Sequence, residues 1–365
     1  MSEGYATFKN ERPDILRRLC LIVAVAVFAA GCGSTALTPS PAPLHLYVVN
    51  AVQPSGVLQF NLPLTATTTP NFLIAWNSPG ATPAYDGRPN SPGSVAVDAG
   101  GNLAVGDRAG YVQFFMAPIS GTSVPSAVLN ADASVPSAFA VSRDVAQMAF
   151  TSAGDLWLAA RAYSGSVNAF SRPFSNASVP SAFVTAASMT LAVGTAFDAA
   201  QNLYVADTKT GTDVTCSSGA GSCSRLLVYV PPYTGAPITT PDVPVVFPPP
   251  PPNVVHLFAE SYVRIAVSET QLFAAWFPAM PASPTFGRVD VFNLPITAAS
   301  TPAFSLVSGV KFPLTLALDP SGNLYIGNGG DSTVTVYSPP ITSASVPSLI
   351  FQTGSYGFAD IAVGK

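Results

Sequence analysis

The stretch LALDPSGNLYIGNGGDSTVTVYSPPITSASVPSLIF, Leu316 to Phe351, alternates short apolar segments with clusters of turn-forming residues. Within it, DPSGN from Asp319 places Pro at the second position of a type I turn and Gly soon after, which favours a tight reversal between two strands. Apolar segments of this length, separated by such turns, predict a unit of short antiparallel strands.

The same unit recurs along the chain. Its best-preserved phrase is an aromatic residue, two further residues and Pro, found six times, at Phe60, Phe115, Phe170, Tyr229, Phe292 and Tyr337. A second Pro follows seven residues later in five copies, at Pro70, Pro125, Pro180, Pro302 and Pro347, and Pro237 and Pro244 keep that interval in the stretched fourth copy. Self-similarity at a period of 45 to 63 residues indicates a repeat architecture.

Each unit reads as four strands. One strand carries a small Ala between larger apolar residues, one opens at Leu, one ends in the aromatic residue, and one follows the second Pro. The Ala recurs at Ala96, Ala149, Ala196, Ala266, Ala317 and Ala362. Four-stranded units of this length predict an all-β fold, a six-bladed β-propeller whose innermost strands converge on an axis and therefore need small residues.

The two ends of the chain complete one blade. The first copy, at His45, lacks an Ala strand, and the last residues, FADIAVGK, supply one. We therefore expect Leu46–Asn50 to pair with Asp360–Gly364, so that the N- and C-terminal strands close a propeller spanning residues 44–365. The alternative, a β-solenoid of stacked repeats, would need no such split unit.

In strand order, and in phrases such as ALDPSGNLYIGN and VGTAFDAAQNLYVAD, residues 44–365 resemble the NHL-repeat family of six-bladed propellers. The aromatic-x-x-Pro phrase and the Ser/Thr-Pro segments are additions of this chain. The resemblance implies an interaction platform for most such propellers and an enzyme for some of their relatives. Fold does not fix function between these.

The first 31 residues read as a signal peptide. Arg17 and Arg18 precede an apolar run, Leu19 to Ala30, that is about half as long as a membrane-spanning helix needs. The junction AAGC, Ala29 to Cys32, resembles the lipobox of bacterial lipoproteins, although Ala29 replaces the usual Leu. The resemblance implies that Cys32 is lipidated and that residues 32–43 are a flexible tether; ordinary secretory cleavage near Gly31 is the alternative.

The other cysteines fit an oxidising compartment. Cys20 lies in the signal peptide, and Cys216 and Cys223 lie close together in CSSGAGSC, which predicts a local disulfide. A metal site is the alternative reading of this pair, but two thiols with no nearby His cannot complete a tetrahedral shell. We therefore predict neither a metal nor a cofactor here.

The charge pattern limits the partners. Only 9% of residues are charged, and removal of residues 1–31 leaves 11 basic and 16 acidic residues, a net charge of −5. Nucleic-acid binding is not expected, because it depends on clustered Lys and Arg. Membrane attachment would rest on the N-terminal lipid. We expect a monomer in the bacterial cell envelope, on the outer membrane or cell surface and facing the periplasm or the exterior.

Two sets of polar residues are candidates for function. Asp98, Asp198 and Asp319 recur on register, but each enters a tight turn, where Asp caps backbone N–H groups. The second strands end at Asn50, Asp107, Arg161, Asp207, Trp276 and Asn328. A catalytic calcium site of the gluconolactonase-like kind would need oxygens from Asn50, Asp107, Asp207 and Asn328 to converge, and Arg161 and Trp276 interrupt the set.

Variable charged residues just before the Ala strands are the binding candidates. We expect them to ring one mouth of the central channel: Arg143, Asp144, Glu260, Tyr262, Arg264, Lys311 and Asp360. With no catalytic constellation evident, the sequence favours a lipid-anchored binding or scaffold module for a protein, small-molecule or glycan ligand. The alternative is a propeller enzyme, a lactone hydrolase or lyase, with a polar site at the channel.

Overall fold

A computed structural model describes residues 42–77, 91–131, 145–160, 166–185, 189, 191–208, 224–233, 238–239, 241, 243–246, 261–277, 287–354 and 357–365. The chain divides into two units, Met1–Ala42 and Pro43–Lys365, and the second contains the strands. In the described part, no helix is long and apolar enough to cross a membrane.

In the described residues, twenty-four strands form six four-stranded antiparallel sheets, the six blades of a β-propeller. Blade 1 contains β1 (His45–Asn50), β2 (Gly56–Asn61) and β3 (Phe72–Ala75). Blade 2 contains β4 (Pro92–Val97), β5 (Leu103–Asp107), β6 (Tyr111–Phe115) and β7 (Ala127–Asn130). Blade 3 contains β8 (Val145–Phe150), β9 (Leu156–Ala160), β10 (Ser166–Phe170) and β11 (Ala182–Val184).

Blades 4 to 6 repeat the order. Blade 4 contains β12 (Ala192–Phe197), β13 (Leu203–Thr208), β14 (Ser224–Tyr229) and β15 (Val243–Val246). Blade 5 contains β16 (Ser261–Val267), β17 (Gln271–Phe277), β18 (Arg288–Asn293) and β19 (Phe304–Leu306). Blade 6 contains β20 (Pro313–Leu318), β21 (Leu324–Asn328), β22 (Thr333–Tyr337) and β23 (Leu349–Gln352). The last strand, β24 (Phe358–Gly364), joins blade 1.

The ends of the propeller close the ring as the sequence predicts. The order in blade 1 is β24-β1-β2-β3, so the C-terminal strand is innermost. His45 pairs with Gly364, Leu46 with Val363 and Val48 with Ile361. The all-β, six-bladed architecture and its closure are therefore confirmed.

The core lies between blades. Six clusters of buried apolar side chains fill the six blade-to-blade interfaces. The recurrent aromatic residues belong to them: Phe60, Phe170, Tyr229, Phe292 and Tyr337 are fully buried and Phe115 nearly so. Apolar burial of this kind is the main term that stabilises the fold. Each blade buries its apolar faces only against the two neighbouring blades. The stability of the ring therefore depends on all six interfaces together.

The two edges of the ring differ. We call "turn face" the edge formed by the tight turns between first and second strands, such as 319–323, and by the segments between third and fourth strands. The opposite edge, with the hairpins between second and third strands and the links between blades, is the "connection face". Asp98, Asp198 and Asp319 cap turns on the turn face, as expected: each accepts the main-chain N–H four residues ahead through Oδ1, at 2.8–2.9 Å.

Eleven-residue Pro loops follow the aromatic residue in five blades, at 61–71, 116–126, 171–181, 293–303 and 338–348. The peptide bond before the first Pro is cis in all six blades, at Pro63, Pro118, Pro173, Pro232, Pro295 and Pro340. In each of the five loops, two Ser or Thr residues three apart exchange hydrogen bonds; for example, Thr342 N donates to Ser345 Oγ at 2.8 Å and Ser345 N to Thr342 O at 3.0 Å.

Candidate functional site

One position in every innermost strand reaches the axis of the propeller. It lies two residues before the recurrent Ala, and a shift of strand register immediately precedes it in each blade. A bulge of this kind re-aims the side chain that follows it. The six residues at this position are Ser94, Gln147, Gly194, Arg264, Thr315 and Asp360.

Asp360 is the centre of one half of this axial network. Its carboxylate accepts a hydrogen bond from the main-chain N of Val95 at 3.0 Å and another from the Thr315 hydroxyl. Arg264 Nε lies 3.7 Å from Asp360 Oδ1, and its Nη1 donates to Val193 O at 2.9 Å. Both side chains are almost completely buried, with relative exposures of 2% for Asp360 and 6% for Arg264. Paired burial of this kind is what such charges require.

Burial raises the pKa of Asp360 above its usual value, although Arg264 and the hydrogen-bond donors act in the opposite direction. Arg264 supplies the positive charge that the carboxylate faces within the axis. A buried carboxylate with this set of partners holds together the innermost strands of blades 1, 2, 5 and 6.

Gln147 forms the other half of the network. Its Nε2 donates to Ile265 O at 3.0 Å, and its Oε1 accepts from Thr195 N at 3.1 Å and from Ile265 N at 3.3 Å. Blades 3 and 5, like blades 1 and 5, are not neighbours in the ring, so these bonds cross the axis. Side chains therefore fill the channel at this level.

The second-strand ends make hydrogen bonds within their own blades. Asp107 Oδ1 accepts from the main-chain N of Ala109 and Tyr111, at 2.9 and 2.8 Å, within its own hairpin. Asp207 Oδ1 accepts from Leu191 N at 3.0 Å, and its Oδ2 accepts from Arg225 Nε at 2.8 Å. Each carboxylate thus serves its own blade.

The two amides behave in the same way. Asn50 Nδ2 donates to Pro54 O at 2.9 Å, and Asn328 Oδ1 accepts from Lys311 N at 2.9 Å. Trp276, which ends the second strand of blade 5, lies under the Arg288 guanidinium, 4.4 Å from ring centroid to Cζ. Arg161 lies outside the described residues. The hydrogen bonds described for Asn50, Asp107, Asp207 and Asn328 therefore lie within their own blades, which does not favour a shared calcium site.

The same conclusion holds for clusters of acids and bases. Within the described ranges, no three His, Cys, Asp or Glu side chains come together as metal ligands. Asp98, Asp198 and Asp319 on the turn face cap their turns, and Asp98 also pairs with Arg172 of the next blade.

The structure distributes the predicted channel-mouth residues unevenly. Arg264 and Asp360 come together, inside the axis. Lys311 lies on the connection face, where its Nζ is 2.8 Å from Asp331 Oδ2, and Tyr262 is part of β16. Arg143, Asp144 and Glu260 lie outside the described residues, as do Cys32, Cys216 and Cys223, so the lipidation and disulfide predictions remain predictions.

Sequence reasoning missed the axial network as a set. Gln147, Thr315 and Ser94 were not singled out, although a polar residue two positions before the Ala recurs in five of the six innermost strands. That offset was the available signal. On the second strands, Gly106 pairs with Ser94 and Gly327 pairs with Thr315. Gly327 has no room for a side chain, because a Cβ there would lie 2.2 Å from the Phe358 ring.

A groove opens on the turn face between blades 5 and 6. Its volume is about 630 Å³. The tight turn of blade 5, with Glu269, forms one wall, and Pro320 and the start of the last Pro loop form the other. Phe273 and Ile341 lie in its buried floor. The groove combines an exposed carboxylate and hydroxyls with proline rings, a surface suited to a ligand that is partly polar.

No protein-family model matches the chain, and no curated protein is significantly similar to it in sequence. Solved structures share the fold. A protein from Lactobacillus plantarum superposes with a TM-score of 0.55 at 12% identity, covering 88% of this chain and 100% of that one. The periplasmic gluconolactonase PpgL of Pseudomonas aeruginosa gives 0.52 at 10% identity, covering 89% and 99%.

A protein of unknown function from Bacteroides caccae gives a TM-score of 0.54 at 10% identity, covering 89% of this chain and 100% of that one. At these identities the likeness establishes the β-propeller fold. Activity does not transfer with the fold, because functional sites are grafted on it.

Proposed function

We propose that the protein is a lipid-anchored, NHL-like β-propeller of the bacterial cell envelope that serves as a binding or scaffold module. The observation that carries this proposal is the filled axis. The polar atoms of Asp360, Arg264 and Gln147 bind to other blades, so these side chains fill the axis, where a propeller enzyme would need a polar site. Binding then falls to the two faces, including the groove beside Glu269.

The lipid anchor is testable in cells that express the full chain. Cys32→Ser should abolish incorporation of radiolabelled palmitate and move the protein from the detergent phase to the aqueous phase. Cys20→Ser is the matched control, because Cys20 lies inside the predicted signal peptide, and it should keep both properties. Palmitate labelling that survives in the Cys32→Ser variant would contradict lipidation at this residue.

The second candidate function is lactone hydrolysis. It is favoured by the fold shared with the periplasmic gluconolactonase of Pseudomonas aeruginosa, a protein that also works outside the cytoplasm. The local engagement of Asp107, Asp207, Asn50 and Asn328 argues against it, since calcium needs several free oxygen ligands at one point.

Soluble protein covering residues 33–365 separates the two functions. With δ-gluconolactone and Ca²⁺, we expect acid release at the uncatalysed rate, and we expect chelation to leave that rate unchanged. Calcium-dependent hydrolysis that Asp207→Asn abolishes, in a variant that keeps the wild-type melting temperature, would establish the enzyme instead.

A further inference from the structure

The described propeller begins on the turn face. Leu44 O accepts a hydrogen bond from Leu62 N at 3.0 Å, at the start of a Pro loop, and His45 pairs with Gly364, at the end of the innermost strand. The preceding segment therefore joins the propeller at this face. The predicted tether, residues 33–43, is eleven residues long, and a chain of that length spans at most about 39 Å when fully extended.

The Pro loops of the turn face are almost uncharged. Across the five Pro loops, at 61–71, 116–126, 171–181, 293–303 and 338–348, the only charged side chain is that of Arg172, and it pairs with Asp98. The rest of these loops is Ser, Thr, Pro, Ala and apolar residues, with few Asn and one Gly. Their hydroxyls are largely used within the loops themselves, in the reciprocal bonds between Ser and Thr.

Exposed apolar side chains concentrate on the same face. Among the described residues, eight large hydrophobic side chains are strongly exposed, and five of them lie there. They are Met116 and Val230 directly after the aromatic residue, and Val124, Val179 and Val346 directly before the second Pro. Val346 is 70% exposed. Because equivalent positions in different blades carry them, they are spread around the rim of the face.

We propose that the turn face rests on a lipid bilayer and that its partner is the membrane surface. The proposal depends on the lipid anchor proposed above and adds the orientation of the propeller. The tether joins the propeller at the turn face, so this face can meet the membrane with a slack tether, whereas the connection face can do so only if the tether also spans the height of a blade, about 20 Å for six residues per strand.

The Pro loops are the part of the turn face that suits a bilayer of neutral lipid. Asp98 and Asp319 of this face are buried in their tight turns, and Glu269 is its exposed acid. The Pro loops carry little charge, and contact of their protruding Val and Met side chains with lipid removes apolar surface from water. The connection face, with Lys311, Asp331 and the blade links, then points away from the bilayer and stays accessible to a ligand, whereas the groove beside Glu269 faces the lipid headgroups.

The test uses the full-length lipidated protein in vesicles containing brominated phosphatidylcholine, which quenches nearby tryptophan. Val346→Trp probes the turn face, and Val307→Trp is the matched control on the connection face, since the two valines are 70% and 65% exposed. Wild-type protein supplies the background of the native tryptophans. Val346→Trp fluorescence should fall at least about twofold more than that of Val307→Trp.

The outcomes keep this inference apart from the anchor itself. If the protein floats with the vesicles and Val307→Trp is quenched instead, or neither variant is quenched, the orientation is wrong although the anchor stands. Crosslinking of two copies through the turn face, without quenching, would likewise overturn it in favour of self-association. If the protein does not float with the vesicles at all, the lipid anchor has failed, and the orientation proposal falls with it.

Discussion

At the scale of single residues, the polar axis is the least expected part of the molecule. Arg264 and Asp360 stand just before the Ala strands in sequence, which suggested a channel mouth. A register shift in front of each position re-aims both side chains, and they meet inside the axis. Strand periodicity alone places a side chain on one of two sheet faces, and a bulge breaks that rule. The sequence therefore indicated the residues but not their location.

A double-mutant cycle tests the energetic role of this pair. Asp360→Asn and Arg264→Met should each lower the free energy of unfolding by about 3–5 kcal/mol, because each leaves a buried partner without its counter-charge. The double variant should lose less than the sum, with a coupling of at least about 1 kcal/mol. Urea denaturation of soluble protein measures all three.

Ser94→Ala is the control for the axial pair. The Ser94 hydroxyl is buried and has no hydrogen-bond partner among the described residues, so its removal should be nearly neutral. Additive losses from Asp360→Asn and Arg264→Met would show that the two charges do not stabilise each other.

At the scale of elements, the repeat could be recognised in the sequence because each blade buries both of its faces with similar side chains at equivalent positions. The Ala strand, the strand that ends in the aromatic residue and the capping role of Asp in the tight turns are confirmed. The Ser/Thr bonds inside the Pro loops and the cis bonds before Pro were not predicted, since both depend on local backbone geometry that composition does not specify. The predicted disulfide between Cys216 and Cys223 lies outside the described residues and stays a prediction.

The Asp turn of blade 6 allows a test of capping against metal binding. Asp319 accepts bonds from Ser321 N and Asn323 N, both at 2.9 Å, and from the buried Tyr325 hydroxyl at 3.1 Å. Asp319→Ala should cost about 2 kcal/mol of unfolding free energy, since bonds to a charged acceptor are lost together. Tyr325→Phe removes one of these bonds and should cost about 1 kcal/mol or less.

Calcium provides the contrast for the same variants. If Asp319 acts only as a turn cap, added Ca²⁺ should leave the melting temperatures of the wild type and of Asp319→Ala unchanged. A rise in the wild-type melting temperature that the variant lacks would identify Asp319 as a cation ligand.

At the scale of the whole molecule, closure decides stability, because a propeller open at one blade exposes two strand edges and two apolar interfaces. Deleting residues 358–365 removes β24, with buried Phe358, Ile361 and Asp360. We expect loss of the cooperative thermal transition, or aggregation. Deletion of Ser217–Ser222, a Gly/Ser-rich segment outside the described residues, is the control and should change the melting temperature by only a few degrees.

A circular permutant tests the same closure in the opposite direction. His45 and Gly364 are already paired, so three added residues between Lys365 and Leu44 would make a five-residue turn, as long as residues 319–323 of blade 6. With new ends placed in the link between blades 2 and 3, the permutant of residues 44–365 should remain monomeric and melt within a few degrees of the unpermuted protein, because no blade is broken by the change. Size-exclusion chromatography and calorimetry measure both properties. If the permutant aggregates while the protein lacking residues 358–365 keeps its transition, the pairing of the two ends does not hold the ring together.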